Sequence, residues 1–214
     1  MARDIALTRG PAPSFEPDGR AAWCLLAAVL VLPSLAVGNA AFAAAVLDWQ
    51  PSLWRAQPWR WWSAAWVHLS DMHLQANLVG AVLVAALGVA ARVPRRAALA
   101  WSLAWPLTHL GLLLQPELRH YGGLSGVLHA GVAVVAVSLW QRHRAARGLA
   151  AAIAAVLAFK LISETAWRDA LIHPLGWDIA VAPLAHASGS LAGALLAVAL
   201  VRQPRMRRTS DVVE

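Results

Sequence analysis

The feature that most constrains this chain is the recurrence of long apolar stretches, each about eighteen residues or more, along its 214 residues. Such a stretch, folded as a helix, can cross the roughly 30 Å hydrocarbon layer of a bilayer. Charged residues make up 14% of the chain and hydrophobic residues 59%, whereas about a quarter of a soluble domain is charged. The sequence therefore predicts an integral membrane protein of the all-α class with essentially one domain.

Six membrane helices are predicted from the apolar stretches, at residues 21–46, 66–91, 97–114, 122–140, 148–166 and 183–202. They define a polytopic bundle over residues 21–202, with an N-terminal tail of residues 1–20 and a basic C-terminal tail of residues 203–214. The first twenty residues lack an apolar core, so no cleavable signal peptide is expected. Cys24 is the only cysteine, which excludes an internal disulfide.

The basic residues predict the orientation of the bundle. With both termini on one side, that side holds thirteen of the eighteen Lys and Arg residues. The positive-inside rule then places both termini in the cytoplasm. The same rule, together with attraction to anionic lipid, accounts for the net charge of +7 without any nucleic-acid partner.

A tryptophan-rich segment follows the first span on the predicted outer side. Residues 48–66 hold six of the twelve tryptophans. Indole rings prefer the headgroup region, so we expect this loop to lie in the membrane interface.

Polar side chains within the predicted spans gather at one depth, near the outer surface. His73 and Asn77 are four residues apart and share one face of the second helix. Ser125 lies near the outer start of the fourth helix, and His186 lies near the outer start of the sixth. Polar groups inside a membrane usually face the bundle interior, so these four side chains from three helices predict a site in the outer third of the membrane.

Stripes of small residues would let the fourth and sixth helices approach closely, since tight packing drives helix association in lipid. They recur every four positions, at Gly122, Gly126 and Ala130 and at Ala185, Gly189 and Gly193. Each stripe alone is typical of plain packing. Beside Ser125 and His186, the stripes favour the close contact that a Ser–His hydrogen bond requires.

The predicted chemistry is serine proteolysis inside the bilayer. His186 would take the proton of Ser125 as the serine attacks a peptide carbonyl, and would return it to the leaving amine. His73, Asn77 and the backbone N–H of Ser125 would donate hydrogen bonds to the developing oxyanion. The sequence shows no acid that would orient His186, so we expect a dyad rather than a triad.

These motifs resemble those of the rhomboid intramembrane serine proteases, over nearly the whole chain from Trp59-Arg60 to the end of the sixth helix. Three motifs carry the resemblance: His68, His73 and Asn77; Gly123-Leu124-Ser125-Gly126; and Ala185-His186 followed by Gly189 and Gly193. The resemblance implies Ser125 as nucleophile, His186 as base, and His73 and Asn77 as oxyanion donors. It also implies a six-helix bundle with an interfacial first loop, acting on membrane-anchored proteins without a cofactor.

A departure points to one subfamily. Many rhomboids have a tyrosine four residues after the serine, and here that residue is His129. The string from Tyr121 to His129 and the compact six-span form resemble the bacterial rhombosortases. That resemblance implies cleavage near a C-terminal sorting segment, made of a Gly-Gly-containing motif, an apolar helix and a basic tail. It also implies the bacterial inner membrane as location.

Other interpretations concern single residues. We expect His68 to be structural and to hold the tryptophan-rich loop, and His129 to be a packing partner of the dyad. Glu164, Arg168, Asp169 and His173, around the connection from the fifth to the sixth helix, either shape substrate entry or are simply solvated.

Other functional classes remain as alternatives. A metal enzyme is disfavoured, because His68 and His73 lack the spacing of a helical His-x-x-x-His pair and no carboxylate is evident beside His186. A non-catalytic rhomboid relative would bind membrane helices, but such relatives typically lose the serine or the histidine. A transporter is a third alternative, although no internal repeat is visible and the polar groups do not extend to the cytoplasmic side.

Overall fold

The computed structural model describes residues 17–38 and 40–201, and within them the chain is built from helices and connecting segments. The α-helices are α1 Arg20–Val37, α2 Ala41–Leu47, α3 Arg60–Ser63, α4 Asp71–Ala90, α5 Arg95–Leu110, α6 Ser125–Arg142, α7 Arg147–Ser163 and α8 Pro183–Leu200. Short 3₁₀ helices cover Pro51–Leu53, Ala64–Trp66, Gly111–Leu114 and Arg144–Ala146. The prediction of an all-α membrane bundle is confirmed.

Six long helices form the bundle, and five helical segments are long and apolar enough to cross a membrane: Arg20–Val37, Asp71–Ala90, Arg95–Leu114, Arg144–Ser163 and Pro183–Leu200. The helix outside this set is α6, which carries Ser125, His129, Gln141 and Arg142 among its eighteen residues. These polar side chains lower its mean hydropathy. The predicted fourth span is therefore a helix, but a less apolar one than the other five.

The boundaries of the first predicted span are wrong. A continuous helix over residues 21–46 is replaced by two helices, α1 and α2, because α1 ends at Val37. Gly38 follows with φ +57°, and its N–H closes the helix by donating to the Ser34 carbonyl at 2.8 Å. A positive φ of this size is accessible to glycine without strain and ends the helix.

The second predicted span starts later than residue 66. Helix α4 begins at Asp71, and Ser70 before it is extended and accepts a hydrogen bond from the His73 N–H at 3.0 Å. This is a serine N-cap, which satisfies one of the unpaired N–H groups at the helix start. The cap fixes where the first turn of α4 begins, and with it the position of His73.

Helix α6 is the centre of the bundle. Eleven of its eighteen residues are buried, and it contacts α4, α5, α7 and α8. Helix α7, by contrast, has Ala150 as its one buried residue within Arg147–Ser163. The bundle thus encloses α6 and leaves most of α7 exposed.

The small-residue stripes bring α6 and α8 into backbone contact. A Cβ atom added at Gly126 would lie 2.7 Å from the Ala185 carbonyl oxygen, and one added at Gly189 would overlap the Gly126 carbonyl. Gly193 faces Ala130 in the same way. Packing at these positions is therefore confirmed, because only glycine leaves room for the facing backbone.

Gly122 does not belong to this contact. It precedes α6, which begins at Ser125, and a Cβ there would lie 2.9 Å from the Val67 side chain. The predicted start of the fourth helix at residue 122 is thus three residues too early. Because Gly122 has no side chain, the segment before Ser125 packs against Val67, directly after the tryptophan-rich loop.

The loop at 48–66 is held by a buried ion pair. Arg60 and Asp48 are each 3% exposed, and Nη1 of Arg60 donates to Oδ1 of Asp48 at 2.7 Å. The same guanidinium donates to the main-chain carbonyls of Asp48 and Ala45. A buried ion pair of this kind needs such additional hydrogen bonds to offset desolvation.

Two backbone hydrogen bonds tie this loop to the segment before α6. Trp49 and Tyr121 exchange N–H···O bonds of 2.7 Å and 3.0 Å. Further along, the Gly123 N–H donates to the Ala64 carbonyl at 2.9 Å. The loop therefore positions the turn that leads into Ser125.

Candidate active site

Ser125 occupies the first turn of α6, two residues after a glycine of positive φ. Gly123 has φ +131°, a conformation that residues with a Cβ rarely adopt. A Cβ at this glycine would also lie 2.7 Å from Nε2 of His73. Both the conformation and the lack of space require glycine, and the tight turn presents Ser125 at the start of a helix whose first N–H groups have no partner within the helix.

His186 and Ser125 meet across the contact between α6 and α8. The distance from Nε2 of His186 to Oγ of Ser125 is 2.9 Å. His186 is buried, whereas Ser125 is half-buried. The two side chains predicted to meet are thus within hydrogen-bonding distance.

A carboxylate lies on the other side of the histidine ring. Oε2 of Glu164 is 2.7 Å from Nδ1 of His186, and the glutamate is 6% exposed. The expectation that no acid lies beside His186 is therefore wrong, as is the reading of Glu164 as simply solvated. Arg168, Asp169 and His173 are exposed.

This contact defines the tautomer of His186. A carboxylate only accepts hydrogen bonds, so Nδ1 carries the hydrogen that it shares with Glu164. In the neutral ring, Nε2 is then an acceptor that faces the Ser125 hydroxyl. The arrangement can remove a proton from Ser125.

Signals for Glu164 are weak in the sequence. It lies 22 residues before His186, immediately after the end of α7 at Ser163, where charged residues are ordinary. Lys160 precedes it by four residues and makes a 2.7 Å ion pair with its Oε1 atom. That spacing is typical of a surface ion pair on a helix. The sequence therefore gives no indication that Glu164 also contacts His186.

His129 packs against the face of the His186 ring. The ring centroids are 4.2 Å apart and the planes differ by 11°. Nδ1 of His129 lies 2.7 Å from the Ser125 carbonyl oxygen, one turn earlier in the same helix. The predicted packing contact of His129 is present, and it fixes the His186 ring from one side.

His73 and Asn77 lie beside the turn at Gly123. Nδ1 of His73 accepts from the Leu69 N–H at 3.4 Å, which leaves Nε2–H as the donor in the neutral ring. The Asn77 Nδ2 group is buried and has no hydrogen-bond partner among the described residues. The structure thus brings both predicted oxyanion donors to the cavity that Ser125 lines.

His68 and Tyr121 support the edge of the site. His68 is 2% exposed; its Nδ1 atom lies 3.2 Å from the Trp66 carbonyl oxygen, and its ring centroid is 5.0 Å from that of His73. Burial raises the pKa of the Tyr121 hydroxyl, which donates to the Gly123 carbonyl at 3.3 Å. These contacts agree with a structural role for His68 at the end of the tryptophan-rich loop.

A cavity of about 700 Å³ joins these side chains. Ser125, His186, His73 and Asn77 lie in its wall, and its remaining lining is largely apolar. Much of that apolar lining comes from α4, α6 and α7: Leu83, Val84, Leu128, Val132, Ile153, Val156 and Leu157. Within residues 17–38 and 40–201, no group of three or more His, Cys, Asp or Glu side chains is arranged to hold a metal ion.

The fold and the site define a helical, multi-pass membrane protein with a serine and a histidine joined at a cavity between its helices. Residues 55–203 match the family model of the Rhomboid domain. The chain belongs to the rhomboid family, which is a family of intramembrane proteases. None of the curated proteins compared with the chain matches it.

Proposed function

We propose that this protein is an intramembrane serine endopeptidase that uses Ser125 as nucleophile and His186 as general base. The observation that carries the proposal is the 2.9 Å contact between Oγ of Ser125 and Nε2 of His186, from two helices whose backbones touch. Nucleophile and base within hydrogen-bonding reach are the signature of an activated serine.

The first chemical step forms a bond between Oγ of Ser125 and the carbonyl carbon of the substrate. His186 takes the hydroxyl proton, and the carbonyl oxygen becomes an oxyanion. The C–N bond then breaks as His186 gives this proton to the leaving amine. Water then attacks the acyl carbon while His186 takes a proton from it. The bond between the acyl carbon and Oγ of Ser125 breaks, Oγ receives the proton from His186, and the new carboxyl terminus is released.

The oxyanion would be held by His73 Nε2–H, Asn77 Nδ2–H and the backbone N–H of Ser125. Support for this role comes from Asn77, whose buried amide nitrogen has no other partner among the described residues. A preorganised donor of this kind contributes roughly 3–4 kcal/mol to transition-state stabilisation in serine proteases.

The substrate class follows from the lining of the cavity and from the subfamily motif. Apolar side chains on α4 and α7 face the cavity, which suits a membrane-anchored substrate helix. The string from Tyr121 to His129 resembles rhombosortases, so the substrate is a protein with a C-terminal Gly-Gly motif, apolar helix and basic tail. Both termini lie in the cytoplasm of a bacterial cell, and the site opens towards the outer side of the inner membrane.

The test is co-expression with a reporter protein that carries this tripartite segment at its C-terminus. We expect a shortened reporter with the wild-type protein and the uncut reporter with the Ser125→Ala variant. A matched reporter, with Val-Val in place of Gly-Gly, should remain uncut.

Two outcomes would contradict parts of the proposal. Equal Ser125-dependent cleavage of both reporters would indicate a general rhomboid protease with broader substrates. Cleavage that persists in Ser125→Ala would refute the serine mechanism.

A further inference from the structure

We propose that Glu164 is a positioning residue for the reaction, so that the nucleophile is activated by a Ser125–His186–Glu164 chain rather than by a dyad. This inference rests on the proposed function and assigns a third group to the same site. Glu164 directly follows the last residue of α7, so α7 then contributes to the catalytic machinery.

The two oxygens of Glu164 are both engaged, each with a different partner. Oε2 lies 2.7 Å from Nδ1 of His186, and Oε1 lies 2.7 Å from Nζ of Lys160. If Glu164 formed only an exposed ion pair with Lys160, its carboxylate would stay hydrated and the desolvation cost would be small. The side chain is instead turned inward and buried against the histidine, at a desolvation cost that the contact with His186 offsets.

The burial of Glu164 does not result from a tightly packed helix. Helix α7 has one buried residue over its length, Ala150, close to its opposite end. Glu164 and Ala166 are buried just beyond the helix, at the level of His186. The chain therefore folds inward at this point, and the contact that it makes there is with the histidine.

The carboxylate and the stacked ring together restrict His186. Glu164 holds the in-plane Nδ1–H, and His129 covers one face of the ring at a centroid distance of 4.2 Å. Nε2 is thereby held towards Oγ of Ser125. Fixing the tautomer and direction of a catalytic imidazole in this way is the role of the acid in a serine protease triad.

Charge provides the second contribution. When His186 takes the serine proton, it becomes a cation in a largely apolar cavity, and the ionised Glu164 stabilises that cation. The other titratable groups near His186 are His73 on α4, His129 on α6 and Lys160 on α7. None of these three carries a negative charge, whereas Glu164 is in direct contact with His186; Asp178 lies further off, bonded to the Ser70 hydroxyl beside His73.

The experiment measures the rate at which a fluorophosphonate labels Ser125 in the full-length protein, as a function of pH. In this reaction the serine oxygen bonds to phosphorus, the P–F bond breaks, fluoride leaves and His186 accepts the proton. Labelling reports activation of the nucleophile without requiring the correct protein substrate. The variants are Glu164→Gln, which keeps the shape and removes the charge, and Glu164→Asp, which keeps the charge and shortens the side chain.

We expect Ser125 to be labelled at least about tenfold more slowly in Glu164→Gln than in the wild type at neutral pH. Replacing the acid of a serine protease triad by its amide lowers the rate by roughly 10⁴-fold, which sets the upper limit of the expected loss. The acid limb of its pH–rate profile should move to lower pH, because the anion that favours protonated His186 is gone. Glu164→Asp should label faster than Glu164→Gln and keep its acid limb near that of the wild type. Glu117→Gln is the matched control, because Glu117 is exposed in a loop and the variant should behave as the wild type.

A purely structural role for Glu164 predicts the reverse order, with the isosteric Gln variant near the wild-type rate and the shortened Asp variant slower. That order, or an unchanged acid limb in Glu164→Gln, would overturn the inference and leave the Ser125–His186 mechanism standing. Failure of the proposed function gives a different result: the wild-type protein would not be labelled at Ser125, and this inference would fall with it.

Discussion

Asn77 has an amide nitrogen that is buried without a hydrogen-bond partner among the described residues, at 5% exposure of the whole residue. Leaving a buried donor unpaired costs about 1–3 kcal/mol. Unpaired groups of this kind are rare in folded proteins and often mark functional sites. We propose that the acceptor for this donor, beside the Gly123 turn, arrives with the substrate.

We expect Asn77→Ala to lower the rate of substrate cleavage by about one to two orders of magnitude, because one oxyanion donor is lost. Single-turnover kinetics with the reporter substrate would measure this. The thermal stability of the variant in detergent should fall little, since the amide nitrogen it removes has no partner in the resting protein. An unaffected cleavage rate would count against the oxyanion role.

Ser125→Ala and His186→Ala should each abolish cleavage, because proton transfer between the two side chains is needed for attack. The double variant should be hardly slower than either single variant, since residues that act as one unit are not additive. Residual rates from quantitative immunoblots of the reporter would test this, with membrane abundance of each variant as the control. Multiplicative losses in the double variant would indicate independent roles.

Polar residues in apolar surroundings could be recognised from the sequence, and this explains why Ser125, His186, His73 and Asn77 were found. Each interrupts a stretch that is otherwise suited to lipid. Glu164 could not be recognised in the same way, because it follows a helix end where charged residues are common. Its role depends on an inward turn of the chain that no local pattern encodes.

At the scale of elements, the contact between α6 and α8 determines the geometry of the site. Gly126, Gly189 and Gly193 have no side chain, and each packs directly against a backbone carbonyl of the other helix. The distance between the two helices sets the distance between Ser125 and His186. A small increase in helix separation therefore lengthens the 2.9 Å contact.

Gly189→Ala should destabilise the protein and reduce cleavage together, because the added Cβ would overlap the Gly126 carbonyl. Overpacking of this kind typically costs about 1–3 kcal/mol. Thermal unfolding in detergent and reporter cleavage would measure the two effects. Gly148→Ala is the matched control, since a Cβ at that α7 position meets open space; a loss of stability there equal to that of Gly189→Ala would contradict the packing explanation.

The positions of the long helices could be predicted from the apolar stretches, whereas the residues at which they begin and end could not. The break at Gly38 lies within a stretch that is apolar on average, and mean hydropathy does not reveal a glycine of positive φ. The start of α4 at Asp71 depends on the Ser70 cap, which is a hydrogen bond rather than a change in hydropathy. The start of α6 at Ser125 likewise depends on the backbone bond between Gly123 and Ala64.

At the scale of the whole molecule, charge asymmetry predicts the orientation in the membrane. Thirteen of the eighteen Lys and Arg residues fall on the side of both termini, which the positive-inside rule assigns to the cytoplasm. A C-terminal fusion to alkaline phosphatase should therefore be inactive, and a fusion to green fluorescent protein should be fluorescent. The opposite pattern would invert the bundle and place Ser125 towards the cytoplasm.

The enclosure of α6 has a consequence for how the chain is made. Gln141 and Arg142 at its C-terminal end, together with His129 and Ser125, place α6 outside the set of described helices that are apolar enough to span a membrane. Polar and charged residues within a helix oppose its entry into lipid during synthesis. We expect α6 to enter the bilayer only together with the helices that surround it, α4, α5, α7 and α8, so that membrane insertion is the stage at which its polar residues oppose assembly.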